Sequence, residues 1–222
     1  MEFLSYLING ISMGSIYAII ALGYTMVYGI AKMLNFAHGD VIMVGAYVSF
    51  YVTSFATGSL LGDTPSSFAT GAAALVSVLI AMAVCTVLGV VIEGLAYRPL
   101  RQAGSLAVLI TAIGVSYFLQ NAALLLFGSQ QMAYPTLVKL GSFSVGGVQV
   151  DGITVLTLAV TAVLMAALTL FIDKTKLGKA MRAVSEDKDA ATLMGISVDR
   201  TITLTFAIGS ALAAIGSILY FT

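Results

Sequence analysis

Polar side chains interrupt apolar sequence between residues 32 and 40, which read KMLNFAHGD. The candidate residues are Asn35, Phe36, His38, Gly39 and Asp40. Polar groups at membrane depth are costly and usually face a bundle interior or a water-filled path. One interpretation is a broken helix that lines a translocation pathway, where irregular backbone meets a polar substrate. The structural alternative is that His38 and Asp40 satisfy a turn, with Asp40 capping a helix that starts at Val41.

The same cluster does not have the composition of a metal site, because one His and one Asp two residues apart are too few ligands. The sequence also lacks a glycine-rich phosphate loop, a nucleophile elbow and a zinc signature. We therefore predict that this chain uses no metal or other cofactor and is not an enzyme.

A second stretch with a candidate function is the charged segment Asp173–Arg200, which holds 11 of the 20 charged residues of the chain. A segment this polar between apolar stretches must lie in water. Six of its charges are basic, and short loops rich in Lys and Arg stay on the cytoplasmic side of a membrane. The segment therefore predicts a cytoplasmic loop, and it sets the orientation of the other segments.

The charged segment also predicts a short helix with both ends marked. Ser185 can accept hydrogen bonds from first-turn amides, and Glu186 and Asp187 follow where the helix dipole favours carboxylates. The helix would run to Met194, and Gly195 would supply a left-handed stop.

Ala190 and Ala191 in this helix would leave a bare patch, with Leu193 and Met194 as an apolar end. Two interpretations remain open. The helix docks a cytoplasmic protein, or it is a solvated surface helix that merely joins two spans.

The remaining sequence is strongly apolar, with 59% hydrophobic and 9% charged residues over 222 positions. Soluble domains carry about 25% charged residues, so this is an integral membrane protein of the lipid bilayer. The formal net charge of zero gives no basic field for nucleic acid. The start Met1-Glu2 has no basic n-region, so we expect the first apolar stretch to remain as a span.

Six stretches approach the roughly 20 apolar residues that a helix needs to cross the hydrocarbon. The predicted spans are Phe3–Tyr28, Val41–Thr57, Gly71–Ile92, Ser105–Phe127, Ile153–Ile172 and Thr201–Thr222. The predicted fold is an all-α polytopic transmembrane bundle, a single domain over residues 1–222 with a cytoplasmic loop at 173–200. Counting back from that loop places the N-terminus outside.

Small residues four apart allow close packing of helices in lipid. Gly10 and Gly14 in the first span, and Gly209 and Ala213 in the sixth, are therefore predicted packing positions. They favour a multi-helix bundle and an oligomer.

Two further polar features lie on the fourth span and after it. In the fourth span, Gln120 and Asn121 lie near the outer end and Thr111 and Ser116 lie deeper. Hydrogen bonds between helices explain these polar residues as well as substrate contact does. In the outer loop, Phe143 and Val145 mirror Val148 and Val150 around Gly146-Gly147, which predicts a β-hairpin.

Four stretches together resemble one known family. They are Gly10–Tyr47, EGLAYRPLR at Glu93–Arg101, AIGVSYFLQN at Ala112–Asn121, and RAVSEDKDAATLMGISVDR at Arg182–Arg200. The family is the membrane permeases of branched-chain amino acid ABC importers, of the high-affinity leucine-isoleucine-valine type. The resemblance covers essentially the whole chain. It implies a subunit of the bacterial or archaeal inner membrane, working with a sister permease, two cytoplasmic ATPase subunits and a periplasmic or extracellular binding protein.

The resemblance also gives the charged loop a role in coupling to the ATPases. Asp189-Ala190-Ala191 followed by Gly195 resembles the importer pattern Glu-Ala-Ala, three residues, Gly, with Asp in place of Glu. Family members continue for further spans after the sixth, whereas this chain is still apolar at Thr222. We therefore expect a fragment, a truncated product or a split permease.

The function implied is translocation of branched-chain or related small amino acids, driven by ATPase subunits outside this chain. An alternative is an ion-coupled secondary transporter or channel, for which only Lys32, His38 and Asp40 are available as a relay. The sequence leaves open whether the substrate is an amino acid or one of the urea-like amides that related permeases carry.

Overall fold

The structure is a computed structural model that describes residues 2–60, 67–101, 103–130, 132, 134, 141–145 and 148–221. Within these ranges, six helices are long and apolar enough to cross a membrane. They are α1 (Glu2–Ala31), α2 (His38–Phe55), α3 (Ser67–Ile92), α4 (Ser105–Phe127), α5 (Gly152–Lys174) and α8 (Val198–Phe221). Two short helices, α6 (Lys176–Glu186) and α7 (Lys188–Leu193), occupy the charged loop.

The predicted all-α bundle of six spans is confirmed. The fourth span has the predicted ends, whereas α1 continues past Tyr28 to Ala31 and α2 begins at His38 instead of Val41. The α3 helix continues through a π-helical turn (Glu93–Tyr97) and a short 3-10 turn (Arg98–Leu100). The predicted end of the sixth span at Thr222 lies outside the described residues.

A β-hairpin leads directly into α5. Strands β1 (Ser142–Val145) and β2 (Val148–Asp151) pair antiparallel, with Phe143 opposite Val150 and Val145 opposite Val148. The predicted hairpin and its register are therefore confirmed, while its Gly146-Gly147 turn lies outside the described residues.

The central helix of the described bundle is α8. In its apolar stretch of 18 residues 56% are buried, whereas the same measure is at most 28% in the other five spans. It packs on α1, α2 and α3. Gly209 lies against α1, where an added Cβ would be 2.9 Å from a Val27 methyl and 3.2 Å from the Gly23 carbonyl. Ala213 is fully buried.

Gly10 and Gly14 have no such neighbour. A Cβ added at either position would meet no described atom within 4 Å. Because helix packing in lipid depends on close approach, these two glycines do not contribute to the packing seen within this chain. Their packing against another subunit stays a prediction.

The closest approach of α3 to α8 is at Gly89. A Cβ added there would lie 1.9 Å from the Ser210 hydroxyl oxygen and 2.7 Å from the Ser210 Cβ. Because Ser210 is itself buried, neither helix can retreat without opening the core.

A network of charges joins the end of α3 to the start of α8. Glu93, only 1% exposed, accepts hydrogen bonds from Arg101 and from the Thr203 hydroxyl (2.7 Å). Arg101 also pairs with Asp199, which pairs in turn with Arg98 at 2.7 Å. A buried carboxylate is costly without such partners, so the network stabilises the end of α3 on the start of α8.

The tight contact at Gly89 predicts that Gly89→Ala lowers the free energy of unfolding by about 1–3 kcal/mol, as overpacking of a core does. Gly71→Ala makes the same change in the same helix, where a Cβ meets open space, and it should have no such effect. The measurement is the thermal midpoint of the purified protein in detergent. Adding Ser210→Gly should restore part of the loss, and equal midpoints for the two single variants would contradict the packing.

The buried ion pair predicts that Glu93→Gln destabilises the fold by about 3 kcal/mol, because Arg101 loses its buried partner. Arg98→Gln removes a pair whose side chains are both more than half exposed, which contributes less than about 1 kcal/mol. Both variants are unfolded in mixed micelles that contain an increasing share of denaturing detergent. The measurement compares their free energies of unfolding. A Glu93→Gln variant as stable as Arg98→Gln would show that the network is dispensable.

Candidate functional site

The connection between α1 and α2 is a break inside the bundle. α1 ends at Ala31, Lys32 takes a left-handed backbone (φ +57°), and α2 begins at His38. A Cβ added at Gly23 would lie 3.2 Å from the His38 imidazole. Gly23 precedes the end of α1 by eight residues, or about 12 Å at 1.5 Å per residue. The chain therefore turns back along α1 before α2 starts.

Hydrogen bonds from distant parts of the chain hold this break. The Asn35 side-chain oxygen, in a residue 4% exposed, accepts from the Tyr97 hydroxyl at 3.0 Å. The His38 imidazole packs edge-on against the Tyr24 ring, with 5.9 Å between the ring centroids. Phe36, by contrast, is about half exposed, so the predicted pathway residues do not all face one space.

Asp40 does not cap α2. The N-cap residue of α2 is Ala37, which makes no side-chain capping bond, whereas Asp40 lies within the first turn of the helix. One carboxylate oxygen accepts from the Gln120 amide of α4 at 3.0 Å, and the other is buried with no hydrogen-bond partner among the described residues. The capping alternative is therefore wrong, because this side chain reaches across to another helix.

A cavity of about 810 Å³ opens beside this break, between α1, α2, α4 and the end of α8. Gly39 and Gln120 form part of its wall. Its aromatic lining residues are Tyr17, Tyr47, Phe50, Tyr134, Tyr220 and Phe221. The volume is within the range of small-molecule sites, about 300–1,000 Å³. No sequence pattern indicates these aromatic residues as a set, because they are spread over some 200 positions and only the fold brings them together.

Tyr134, which lines the cavity, also contacts a group of buried hydroxyls between α2 and α3. Ser49 bonds to Ser77 at 3.1 Å, and Thr53 donates to the same Ser77 oxygen at 3.2 Å. The Tyr134 hydroxyl, which follows α4, bonds to Ser49. This group joins the segment after α4 to the bundle.

The charged loop contains two helices instead of one. Ser185 lies in the last turn of α6, where its hydroxyl donates to the Arg182 carbonyl at 2.7 Å, and Glu186 ends that helix. Asp187 is the cap of α7, accepting from the amides of Asp189 (2.8 Å) and Ala190 (3.0 Å). The prediction that Ser185 caps the helix is wrong, because Asp187 has the extended backbone that a cap requires.

The predicted stop at Gly195 has the expected geometry. Gly195 has φ +79°, its amide donates to Thr192, and the Ile196 amide donates to Ala191, both at 3.0 Å. These two bonds are the Schellman arrangement of a helix end. The last helical residue is Leu193, and Met194 is the C-cap.

The surface of α7 differs from the predicted patch of two alanines. Ala191 is buried at 3% exposure and packs into the core of this chain, whereas Ala190 is exposed. Leu193 and Met194 are 88% and 82% exposed. The exposed apolar surface at α7 is therefore its C-terminal tip, Leu193 and Met194.

Lys188, at the start of α7, connects the loop to the break. Its ammonium donates to the Ala31 carbonyl at 2.9 Å, across 157 residues of sequence. Burial lowers the pKa of this half-buried side chain, and the positive charges of Arg101 and Lys32 lower it further. The sequence identifies Lys188 only as one of six basic residues, because nothing local predicts a partner in the first span.

Comparison with known proteins identifies the family of this chain. The family model described as branched-chain amino acid transport system / permease component matches residues 6–222. The high-affinity branched-chain amino acid transport system permease protein BraD of Pseudomonas aeruginosa is 43% identical over 98% of this chain and 70% of its own length. LivH of Escherichia coli K12, with the same description, is 43% identical over 99% of this chain and 70% of its own length.

A more distant relative is archaeal. A probable branched-chain amino acid transport permease, LivH of Methanocaldococcus jannaschii, is 28% identical over 91% of this chain and 62% of its own length. No solved structure matches. With a family match over nearly all of its length and six helices able to span a membrane, this multi-pass membrane protein belongs to the permease family of branched-chain amino acid transport systems.

Proposed function

We propose that this chain is the permease subunit of an ABC importer that carries branched-chain amino acids across the inner membrane. The names of its relatives, which are high-affinity branched-chain amino acid permeases, support the substrate class. Its proposed partners are a sister permease, two cytoplasmic ATPase subunits and an external binding protein. The basic residues of the 173–200 loop support a cytoplasmic position for that loop and an external N-terminus.

The observation that carries the mechanism is the bond between Lys188 and Ala31. The tip of α7, Leu193 and Met194, is apolar and more than four-fifths exposed, as a docking surface for an ATPase would be. The base of the same helix holds the last carbonyl of α1. A displacement of α7 would therefore pull directly on the break between α1 and α2.

ATP-driven closure of the ATPases would then act as a population shift between two states of the bundle. Such a shift requires contacts that differ between the states. In this proposal α7 supplies the contact with the ATPases, and the residues 35–40 at the break, with the cavity beside them, form part of the pathway. Affinity for the substrate would reside in the external binding protein, so the pathway need hold the substrate only weakly.

The Lys188 bond predicts that Lys188→Met reduces uptake per ATP hydrolysed about tenfold, since a hydrogen bond from a charged group contributes about 1.5–3 kcal/mol. Lys188→Arg should retain part of the coupling. The matched control is Lys179→Met, which removes an exposed lysine of the neighbouring helix α6. Uptake and ATP hydrolysis are measured together in proteoliposomes that contain the complete importer. An unchanged ratio in Lys188→Met would rule out this route of coupling.

The left-handed stop predicts that Gly195→Val also uncouples hydrolysis from uptake, because a β-branched residue resists φ +79° and the tip of α7 would be displaced. Gly104→Val is the control, since Gly104 has φ −60° and equally open space. The same assay reports both variants. If Gly195→Val transported as well as the control does, the ATPase contact would have to lie elsewhere. Uptake by the wild-type chain without any ATPase subunit would favour an ion-coupled transporter.

A further inference from the structure

Asp40 is a buried carboxylate that no cation neutralises among the described residues. Asp40 is 6% exposed, and it belongs to none of the ion pairs that the described residues form. One of its oxygens has no hydrogen-bond partner there. A carboxylate in such a position is costly within a membrane bundle, and such groups usually mark a substrate or ion path.

Gln120 connects the carboxylate to the wall of the cavity. Gln120, which lines the cavity, donates to Asp40 and also to the Ser116 hydroxyl, each at 3.0 Å. Because its amide nitrogen has a second partner on its own helix, Gln120 can release Asp40 without losing every hydrogen bond. The neutral amide therefore occupies the place that a cationic donor from the cavity would take.

The start of α2 offers the complementary charge. Its first turn has no side-chain cap, and the first amides of a helix have no partner within the helix. The His38 amide donates to the Asn35 carbonyl at 3.2 Å, so the amides of Gly39 and Asp40 are the ones available to a ligand. Gly39 lines the cavity, and a Cβ added there would meet nothing within 4 Å. Free amides at the positive end of a helix bind carboxylates. Backbone amides that can bind an anion thus lie within two residues of a carboxylate that has no cationic partner among the described residues.

We propose that Asp40 binds the α-ammonium group of a zwitterionic amino acid, with Gln120 as its placeholder when the pathway is empty. The α-carboxylate would lie at the amides of the first turn of α2. The apolar side chain would lie against Ile20, Ile42 and Met43, which line the same cavity. This inference rests on the proposed function and narrows it, since an uncharged amide or urea lacks the ammonium group that Asp40 requires.

The test compares Asp40→Asn with wild type in the complete importer, reconstituted with its ATPases and saturated with leucine-loaded binding protein. Asparagine keeps the shape and can still accept from Gln120, but it lacks the charge. We expect uptake of L-leucine to fall about tenfold or more, as loss of one charge-assisted bond implies, with ATP hydrolysis retained. Asp173→Asn is the matched control, because Asp173 is half exposed and pairs only with Arg182 among the described residues. Equal uptake by Asp40→Asn and wild type overturns the inference.

A second measurement needs no variant and so does not depend on folding of Asp40→Asn. Isocaproate, which is leucine without its amino group, and unlabelled leucine each compete with radiolabelled L-leucine for the wild-type importer in detergent without the binding protein, at ligand and protein concentrations high enough to fill a weak site. We expect isocaproate to compete at least about tenfold more weakly than unlabelled leucine, and equal competition overturns the inference.

The two proposals fail separately. If wild type carries leucine with ATP but neither Asp40→Asn nor the missing amino group matters, only the role of Asp40 is wrong. If wild type carries no amino acid with ATP, the proposed function is wrong, and the inference fails with it.

Discussion

Every polar group within a lipid bilayer must find its partner in the protein, because the hydrocarbon offers none. This constraint is most severe at the break between α1 and α2, which frees carbonyls at one helix end and amides at the next. Lys188 satisfies the Ala31 carbonyl and Tyr97 holds the Asn35 side chain. Residues more than 60 positions away in sequence therefore converge here. The charged loop, the end of α3 and the start of α2 are positioned by the same requirement.

The break between α1 and α2 also depends on glycines where the neighbouring helices approach one another. Three helices approach α8, and each presents one glycine to it: Gly23 of α1 faces Gly209, Gly45 of α2 faces Ala214, and Gly89 of α3 faces Ser210. A Cβ at any of the three would lie 3.3 Å or less from an atom of α8, so the neighbouring atoms would have to shift to make room for it. Since the His38 imidazole lies at the same Gly23, the seam between α1 and α8 leaves the space in which the start of α2 is buried.

Much of the architecture could be predicted from the sequence because its signals are local. The apolar length of Ser105–Phe127, the mirrored Phe143 and Val150, and the left-handed stop at Gly195 each depend on neighbouring residues. The spacing of small residues was less informative. Gly10 and Gly14 have the favourable spacing and no contact in the described chain, because spacing does not say which face of a helix meets a neighbour.

The candidate site was predictable only in part, for the same reason. The polar run around His38 and Asp40 identified the right segment, since polar residues stand out in apolar sequence. Its bonding was invisible, because Gln120 is 80 positions from Asp40 in sequence. In the charged loop, Ser185 and Asp187 are both good caps, and their types alone could not decide between them. The choice depends on where the backbone becomes extended, which is at Asp187.

One short segment carries both ends of the proposed mechanism. Ala31 is bonded to the helix that would contact the ATPases, and Asp40, nine residues later, is bonded to the wall of the cavity. Asn35 is held between them by Tyr97. A straight transmembrane helix in this position would place those two contacts about 14 Å apart along its axis and would transmit motion only by moving as a whole. Because the chain turns back along α1, a displacement of α7 need reorganise only this connection to change how Gln120 covers Asp40. The irregular backbone that the bilayer tolerates least is therefore the part best placed to couple the loop to the cavity.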